Sequence, residues 1–340
     1  MSSRIRRGAV VGTIVAVPLC AACATILGFD NYSSESAGAG RCSADGAFVL
    51  NPQPLFDNQV DGIVNADRRG VYLSEDENQI YFGMDTVPEK IDSGTDGGST
   101  LLNWKLYVAT RGSRDQKFGT PQGIPGLNQF YSQRHPTFAN DGRMILFSGQ
   151  ESDKNDNHTL FYATRDGDAG AFRPPQQLSD RINERGYNLD PFLYTPSDAG
   201  KELWYVHIDD ASRSETLRHA RILNDDLTAS GSFEEPAVFN PTPNVETTPV
   251  LSADGLELYF SREETDASGN ANIWRMRRAT TADTFAGREK VEGVNSDFFD
   301  RPGWLSPDGC RLYLLSSRGT NSITDGALNI YVAERPKTSP

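Results

Sequence analysis

The chain has 340 residues, enough for one large domain or two small ones, and its 46 acidic against 33 basic residues give a formal charge of −13 at pH 7. That surplus of acid excludes nucleic acid and anionic membrane as partners, because both demand a basic patch. Charged residues make up 23%, which suits a solvated surface around a modest core.

The N-terminus reads as an export signal over residues 1–22. Arg4, Arg6 and Arg7 precede an apolar run from Gly8 to Leu19, too short to span a bilayer, and the small residues Ala21 and Ala22 follow. Cys23 comes next. This arrangement resembles a bacterial lipobox, with Cys20 standing where leucine is usual, and implies lipidation at Cys23. Residues 23–41 are then a tether, rich in Ser, Gly and Ala. Cys42 and Cys310 remain as an even pair in an exported chain, which invites a disulfide.

From residue 42 onward a phrase recurs. An apolar stretch leads into Asp-Gly or a near relative, then into a second apolar run with aromatics. The copies lie at Leu73–Phe82, Phe138–Phe147, Tyr194–Tyr205, Leu251–Phe260 and Leu305–Leu314, and their aspartates are Asp76, Asp141, Asp198, Asp254 and Asp308. Each copy reads as a strand, a tight turn and a returning strand, since Asp and Gly tolerate the left-handed backbone that such turns need. A third strand follows at Trp104–Thr110, Thr159–Arg165, Thr216–Arg221, Asn272–Arg278 and Asn329–Arg335. A lone phenylalanine precedes a weaker fourth strand, at Phe118, Phe172, Phe233 and Phe285.

Four antiparallel strands in a unit of some 55 residues make the blade of a β-propeller. The fifth unit runs out before its fourth strand. Gly46-Ala47-Phe48 copies Gly170-Ala171-Phe172, so residues 47–64 are expected to supply that strand and close a ring of five blades; six blades is the alternative. The closure places Cys42 beside the turn that holds Cys310, so their disulfide would staple it.

The phrase L-S-x-D-G-x-x-L-Y-F-S, followed by N-I-W or N-I-Y, resembles the WD40-like repeat of TolB-type β-propellers. Pro249–Ser261 and Leu305–Ser316 match best, Leu73–Phe82 lacks the glycine, and Tyr194–Val206 carries an insertion. The resemblance spans about residues 42–335 and implies a single propeller at 42–336 in the periplasm or outer membrane of a bacterial envelope. It is specific for fold and weak for function, because the motif consists of turn and core residues.

Candidate binding residues are those entering each first strand, at the rim of the channel: Arg68 and Arg69, Arg134 and His135, Asp190, Glu246 and Thr247, and Asp300 and Arg301. The same residues could instead pair with one another and fix the blades. The expected function is a non-catalytic, monomeric binding or scaffold propeller that holds an envelope protein or a polysaccharide such as peptidoglycan on this face, attached to membrane only through its lipid. The alternative is a glycoside-acting enzyme with Asp190, Glu246 and Asp300 as its carboxylates, placed at matching positions of three consecutive blades. Against that stand the neighbouring arginines, which lower a carboxylate pKa rather than raise it for general-acid work.

No cofactor is expected. The loops at Ile91–Ser99 and Glu151–His158 are rich enough in oxygen ligands to hold Ca²⁺, but neither has the spacing of an EF-hand. His135, His158, His207 and His219 stand at no metal-binding spacing, and no Gly-x-Ser-x-Gly elbow, phosphate loop or Cys-x-x-Cys pair is present.

Overall fold

The computed structural model describes residues 42–56, 59–60, 63–64, 67–85, 103–139, 142–152, 157–167, 170–196, 200–239, 244–263, 270–318 and 328–336. They belong to one compact unit, Arg41–Ser339. The export signal, the tether, Cys23 and the loop Ile91–Ser99 lie outside the described residues, as do Asp141 and Asp198.

Among the described residues there are five four-stranded antiparallel sheets, and they are the five blades of a β-propeller. The six-blade alternative is therefore set aside. Blade 1 runs Arg68–Leu73, Gln79–Asp85, Trp104–Thr110 and Gln122–Gly123. Blade 2 runs Ser132–Phe138, Met144–Gln150, Thr159–Thr164 and Gln176–Gln177. Blade 3 comprises Gly186–Tyr194, Glu202–Asp209, Glu215–Arg221 and Ala237–Val238. Blade 4 comprises Glu246–Leu251, Glu257–Glu263, Ala271–Arg277 and Ala286–Lys290.

Blade 5 takes Asp300–Leu305, Arg311–Ser316 and Asn329–Glu334 from the C-terminal end and Val49–Leu50 from the N-terminal end. Val49 pairs with Glu334 and Leu50 with Ala333, and the N–H groups of Asn51 and Leu55 continue onto the Val332 and Ile330 carbonyls. The closing strand is shorter than 47–64, because Gln59–Val60 and Ile63–Val64 pair with each other in a separate hairpin.

The recurring phrase has a hydrogen-bond reason. Ser74, Ser252 and Ser306 donate their hydroxyls to Asp76, Asp254 and Asp308, and accept the N–H of Gln79, Glu257 and Arg311. Each aspartate also accepts a backbone N–H, from Asn78, Leu256 or Cys310. The turn passes through the left-handed region at Gly142, Gly255 and Gly309, with φ of 66°, 68° and 69°. Glu77 holds that place in blade 1 at φ 60°, where a side chain is strained.

A second repeat lies just past the third strand of blades 1, 2, 4 and 5. Arg111, Arg165, Arg278 and Arg335 donate Nε to the carbonyls of Glu77, Gly142, Gly255 and Gly309. Their guanidiniums cover Phe118, Phe172, Phe285 and Phe48 at 4.3, 4.7, 4.4 and 5.0 Å from the ring centroids. Phe48 is therefore the missing lone phenylalanine of blade 5. Beside it Cys42 and Cys310 are disulfide-bonded, with their Sγ atoms 2.07 Å apart.

The core is not one ball but a layer between each pair of neighbouring blades. Tyr81, Phe138 and Phe161 fill the layer between blades 1 and 2, and Phe56, Val71 and Leu315 that between blades 5 and 1. Each blade thus buries both faces, which is why its strands alternate so little in polarity.

Candidate site at the channel neck

The first strand of every blade carries a bulge, and the bulges form the neck of the channel. The register slips between Arg134 and Thr137, Leu189 and Phe192, and Thr247 and Val250. In each case one residue before a proline adopts positive φ: His135 at 55°, Asp190 at 50° and Thr248 at 50°. Gly70 holds the corresponding place in blade 1 at 65°. Three non-glycine residues in this conformation at one ring of positions is strain concentrated at a functional candidate.

The side chains at this neck connect three blades. His135 Nδ1 lies 2.9 Å from Asp190 Oδ1, and Asp190 Oδ2 accepts the Thr248 N–H at 3.2 Å. His135 and Asp190 are only 6% and 7% exposed. Burial alone would raise the Asp190 carboxyl, but His135, Arg301 and Arg134 outweigh it and hold the group well below the usual carboxylate range. Burial pushes the His135 imidazole down against the pull of Asp190, whose carboxylate its Nδ1 faces. The void bounded by Asp190, His135 and Thr248 measures about 30 Å³. A water needs at least roughly 10–15 Å³, so the neck has room for a water or two and none for a sugar.

Of the residues named from sequence, Arg134, His135, Asp190 and Arg301 come together here. Arg301 also lies over Phe299, 4.7 Å from the ring centroid. Arg69 pairs with Asp67 at 3.0 Å and lies over Trp104. Arg68 reaches across the seam to Asn329 Oδ1 at 2.7 Å, and burial lowers its guanidinium to about 10.

Glu246 and Asp300 belong elsewhere. Glu246 pairs with Arg262 at 3.4 Å and Arg288 at 3.0 Å within blade 4. Asp300, with no exposed surface, pairs with Arg318 at 2.6 Å and accepts two hydrogen bonds from Ser296 within blade 5. Register explains the difference. Glu246 faces Arg262 and Asp300 faces Ser316, whereas their counterpart in blade 3 is Asn188, facing His207. Asp190 stands two residues further along. The expectation that Asp190, Glu246 and Asp300 occupy matching positions is corrected accordingly.

One carboxylate was missed. Glu215 opens the third strand of blade 3, opposite Ile208. Burial raises its pKa, and Glu263 and Asp190 raise it further, against Arg301 and Arg213. Nothing in its local sequence, Ser-Glu-Thr, marks it out. A signal did exist for His135 and Asp190: Pro136, Pro191 and Pro249 each follow the strained residue, and aligning the blades on proline brings the pair into register.

No cluster of three or more His, Cys, Asp or Glu side chains able to hold a metal occurs among the described residues. Part of the loop Glu151–His158 lies outside them.

No protein-family model matches the sequence, and no curated protein matches it. Solved structures do. A family-117 glycoside hydrolase of the marine bacterium Zobellia galactanivorans superposes with a TM-score of 0.56 at 15% identity, over 85% of this chain and 90% of that one. The α-L-arabinofuranosidase of Podospora anserina gives 0.55 at 11% identity, over 87% and 98%. The endo-arabinase of Bacteroides thetaiotaomicron gives 0.52 at 15%, over 81% and 95%. TolB from Acinetobacter baumannii superposes less well, with a TM-score of 0.42 at 15% identity, over 81% of this chain and 56% of that one. At these identities the similarity establishes the fold. The expectation of a non-catalytic binding scaffold is nonetheless corrected, because the solved propellers that superpose here with TM-scores above 0.5 are glycoside hydrolases.

Proposed function

We propose that this chain is a glycoside-acting enzyme whose reacting sugar sits above the channel neck, with Asp190 as the ionised carboxylate and Glu215 as the proton donor. The observation that carries the reading is the opposed electrostatics of these two groups. One is held ionised by His135, Arg301 and Arg134, and the other is kept closer to protonated by burial and by the charges of Glu263 and Asp190. Glycoside hydrolysis needs that division of labour: an acid to protonate the leaving oxygen, and a carboxylate to act as base or nucleophile. The water-sized void beside Asp190 suits a base that activates water.

The structural neighbours support the reading by their fold, and two α-L-arabinofuranosidases and an endo-arabinase among them are named for arabinose-containing substrates. Pentose polymers are thus the first substrates to try. The Cys23 lipobox and the TolB-type phrase add a proposal about place: an exported, lipid-anchored enzyme of the bacterial envelope, which Cys23→Ser would release from membranes.

The test is reducing-sugar release from arabinan, arabinoxylan and peptidoglycan fragments by residues 42–340, with Asp190→Asn and Glu215→Gln beside the parent chain. Loss of a measurable activity in both variants, with folded circular-dichroism spectra, is the expected result. Activity that survives both changes overturns the assignment.

A further inference from the structure

A cavity lies away from the neck, at the outer edge of the seam between blades 3 and 4. It measures about 790 Å³, and Trp204, His219, Phe239, Glu202 and Arg278 are among its walls. His219 stacks on Trp204 at 4.7 Å between centroids, and Phe239 meets Trp204 edge-on at 5.2 Å. Glu202 accepts the Trp204 indole N–H at 3.0 Å, and the Arg278 guanidinium is 4.0 Å away.

The propeller's own repeat shows what this place is built to hold. Trp204 pairs with His219 and Glu202 with Arg221 in blade 3, as Tyr259 pairs with Arg275 and Glu257 with Arg277 in blade 4. Glu202 is therefore the counterpart of Glu257, and His219 the counterpart of Arg275. At the seam between blades 4 and 5, the Arg275 guanidinium donates to Glu257 at 3.1 Å and lies 6.0 Å from the Tyr259 ring centroid. Arg277 adds a contact to the same carboxylate, and the remaining cavity is only about 200 Å³. At the seam between blades 3 and 4 the corresponding carboxylate and aromatic ring are present, but the cation from the third strand is not. His219 is too short to supply it. Arg221, 58% exposed at its side chain, pairs with Glu234 instead.

Blade 3 also breaks the repeat toward aromatics. Phe239 takes the place of Ile124, Leu178 and Val291, the residues whose N–H bonds to the third strand in blades 1, 2 and 4. The rim carries Glu234, Glu235 and Asp283, with Arg221 and Arg181 paired to the two glutamates. A repeat that keeps its fold while departing at the walls of one cavity marks a site rather than a packing need.

We infer that this cavity binds an organic cation, a guanidinium or alkylammonium group, which takes the position that the Arg275 guanidinium occupies in the next blade, with Glu202 as counter-charge and the Trp204–His219–Phe239 wall as its aromatic face. Charge-assisted hydrogen bonding and cation–π contact both favour it in a partly desolvated pocket. The source is either a free small molecule or an arginine side chain presented by a peptide.

The inference is tested by calorimetric titration of the folded chain with methylguanidinium chloride and with the blocked dipeptide-like probe N-acetylarginine methylamide, against sodium chloride at equal ionic strength. Saturable binding is expected, weakened about tenfold or more in Glu202→Gln and lost in His219→Arg, which supplies a tethered guanidinium. Tighter binding of the arginine amide than of methylguanidinium assigns the site to a peptide, and the reverse assigns it to a free cation. If neither probe binds the parent chain, or if both bind Glu202→Gln and His219→Arg as well as the parent, the inference fails. Should His219→Arg not fold, Glu202→Gln decides alone.

Discussion

Glu77 of blade 1 accepts hydrogen bonds from Arg311 of blade 5, with Arg311 Nε 2.8 and 2.7 Å from its two carboxylate oxygens. The Tyr313 hydroxyl donates to the same carboxylate at 2.6 Å. Glu77 stands where blades 2, 4 and 5 have glycine, in left-handed backbone, and is nearly inaccessible. Strain of about 1–3 kcal/mol is tolerated there because the side chain locks the seam at which the ring closes.

That lock predicts an order of stabilities. Arg311→Met leaves Glu77 buried without its main partner and should cost roughly 3–5 kcal/mol. Glu77→Gly loses the pair but also removes the backbone strain, so it should cost less. Urea denaturation of both variants checks this; an equal or reversed order refutes it.

The disulfide is the second lock. Cys42 and Cys310 are 268 residues apart in sequence, so their bond holds the closing strand onto blade 5. Reduction, or Cys42→Ser, should lower stability by about 2–5 kcal/mol. An unchanged urea midpoint in reductant would show that the strand pairing suffices alone.

Acid should unfold the chain in two stages. The folded His135 resists protonation, whereas the unfolded imidazole takes a proton near 6.5, so its contribution is full above that pH and declines below it. His207 and His219 are lowered by burial too and act in the same window. Asp190 has a depressed folded pKa, so its contribution is lost only below about 3.8, its unfolded value. In melting curves against pH, His135→Asn should flatten, but not remove, the slope between these values. An unaltered slope would mean that His135 takes up its proton at the same pH folded as unfolded.

Activity should fall on the alkaline side as Glu215 loses its proton. Glu263 raises the Glu215 pKa, so Glu263→Gln should move that limb of the pH profile to lower pH. A limb that stays in place assigns it to another group.

Asp300→Asn breaks the ion pair of a fully buried carboxylate with Arg318 and should destabilise the chain by about 3–5 kcal/mol, read by urea denaturation. A near-neutral result would show that Ser296 and Arg318 find other partners.

Local rules made the blades legible. The Asp-Gly turn and its near relatives close through bonds five residues apart or fewer, so their recurrence revealed five hairpins, and the copied Gly-Ala-Phe at Gly46–Phe48 revealed how the ring closes. The nearness of Cys42 and Cys310 followed from that count. The site was legible only in part, because its geometry depends on bulges and on side chains from different blades. Acidity in the sequence grouped Asp190 with Glu246 and Asp300, but the strand register separates them by two residues and turns the latter two toward arginines of their own blades. Glu215 meets the field of Asp190 only across the folded blade, and the vacancy beside Glu202 is visible only when two seams are compared in three dimensions. Periodicity reports backbone hydrogen bonds that every blade shares; function resides in the departures, and tertiary packing alone decides which of those face one another.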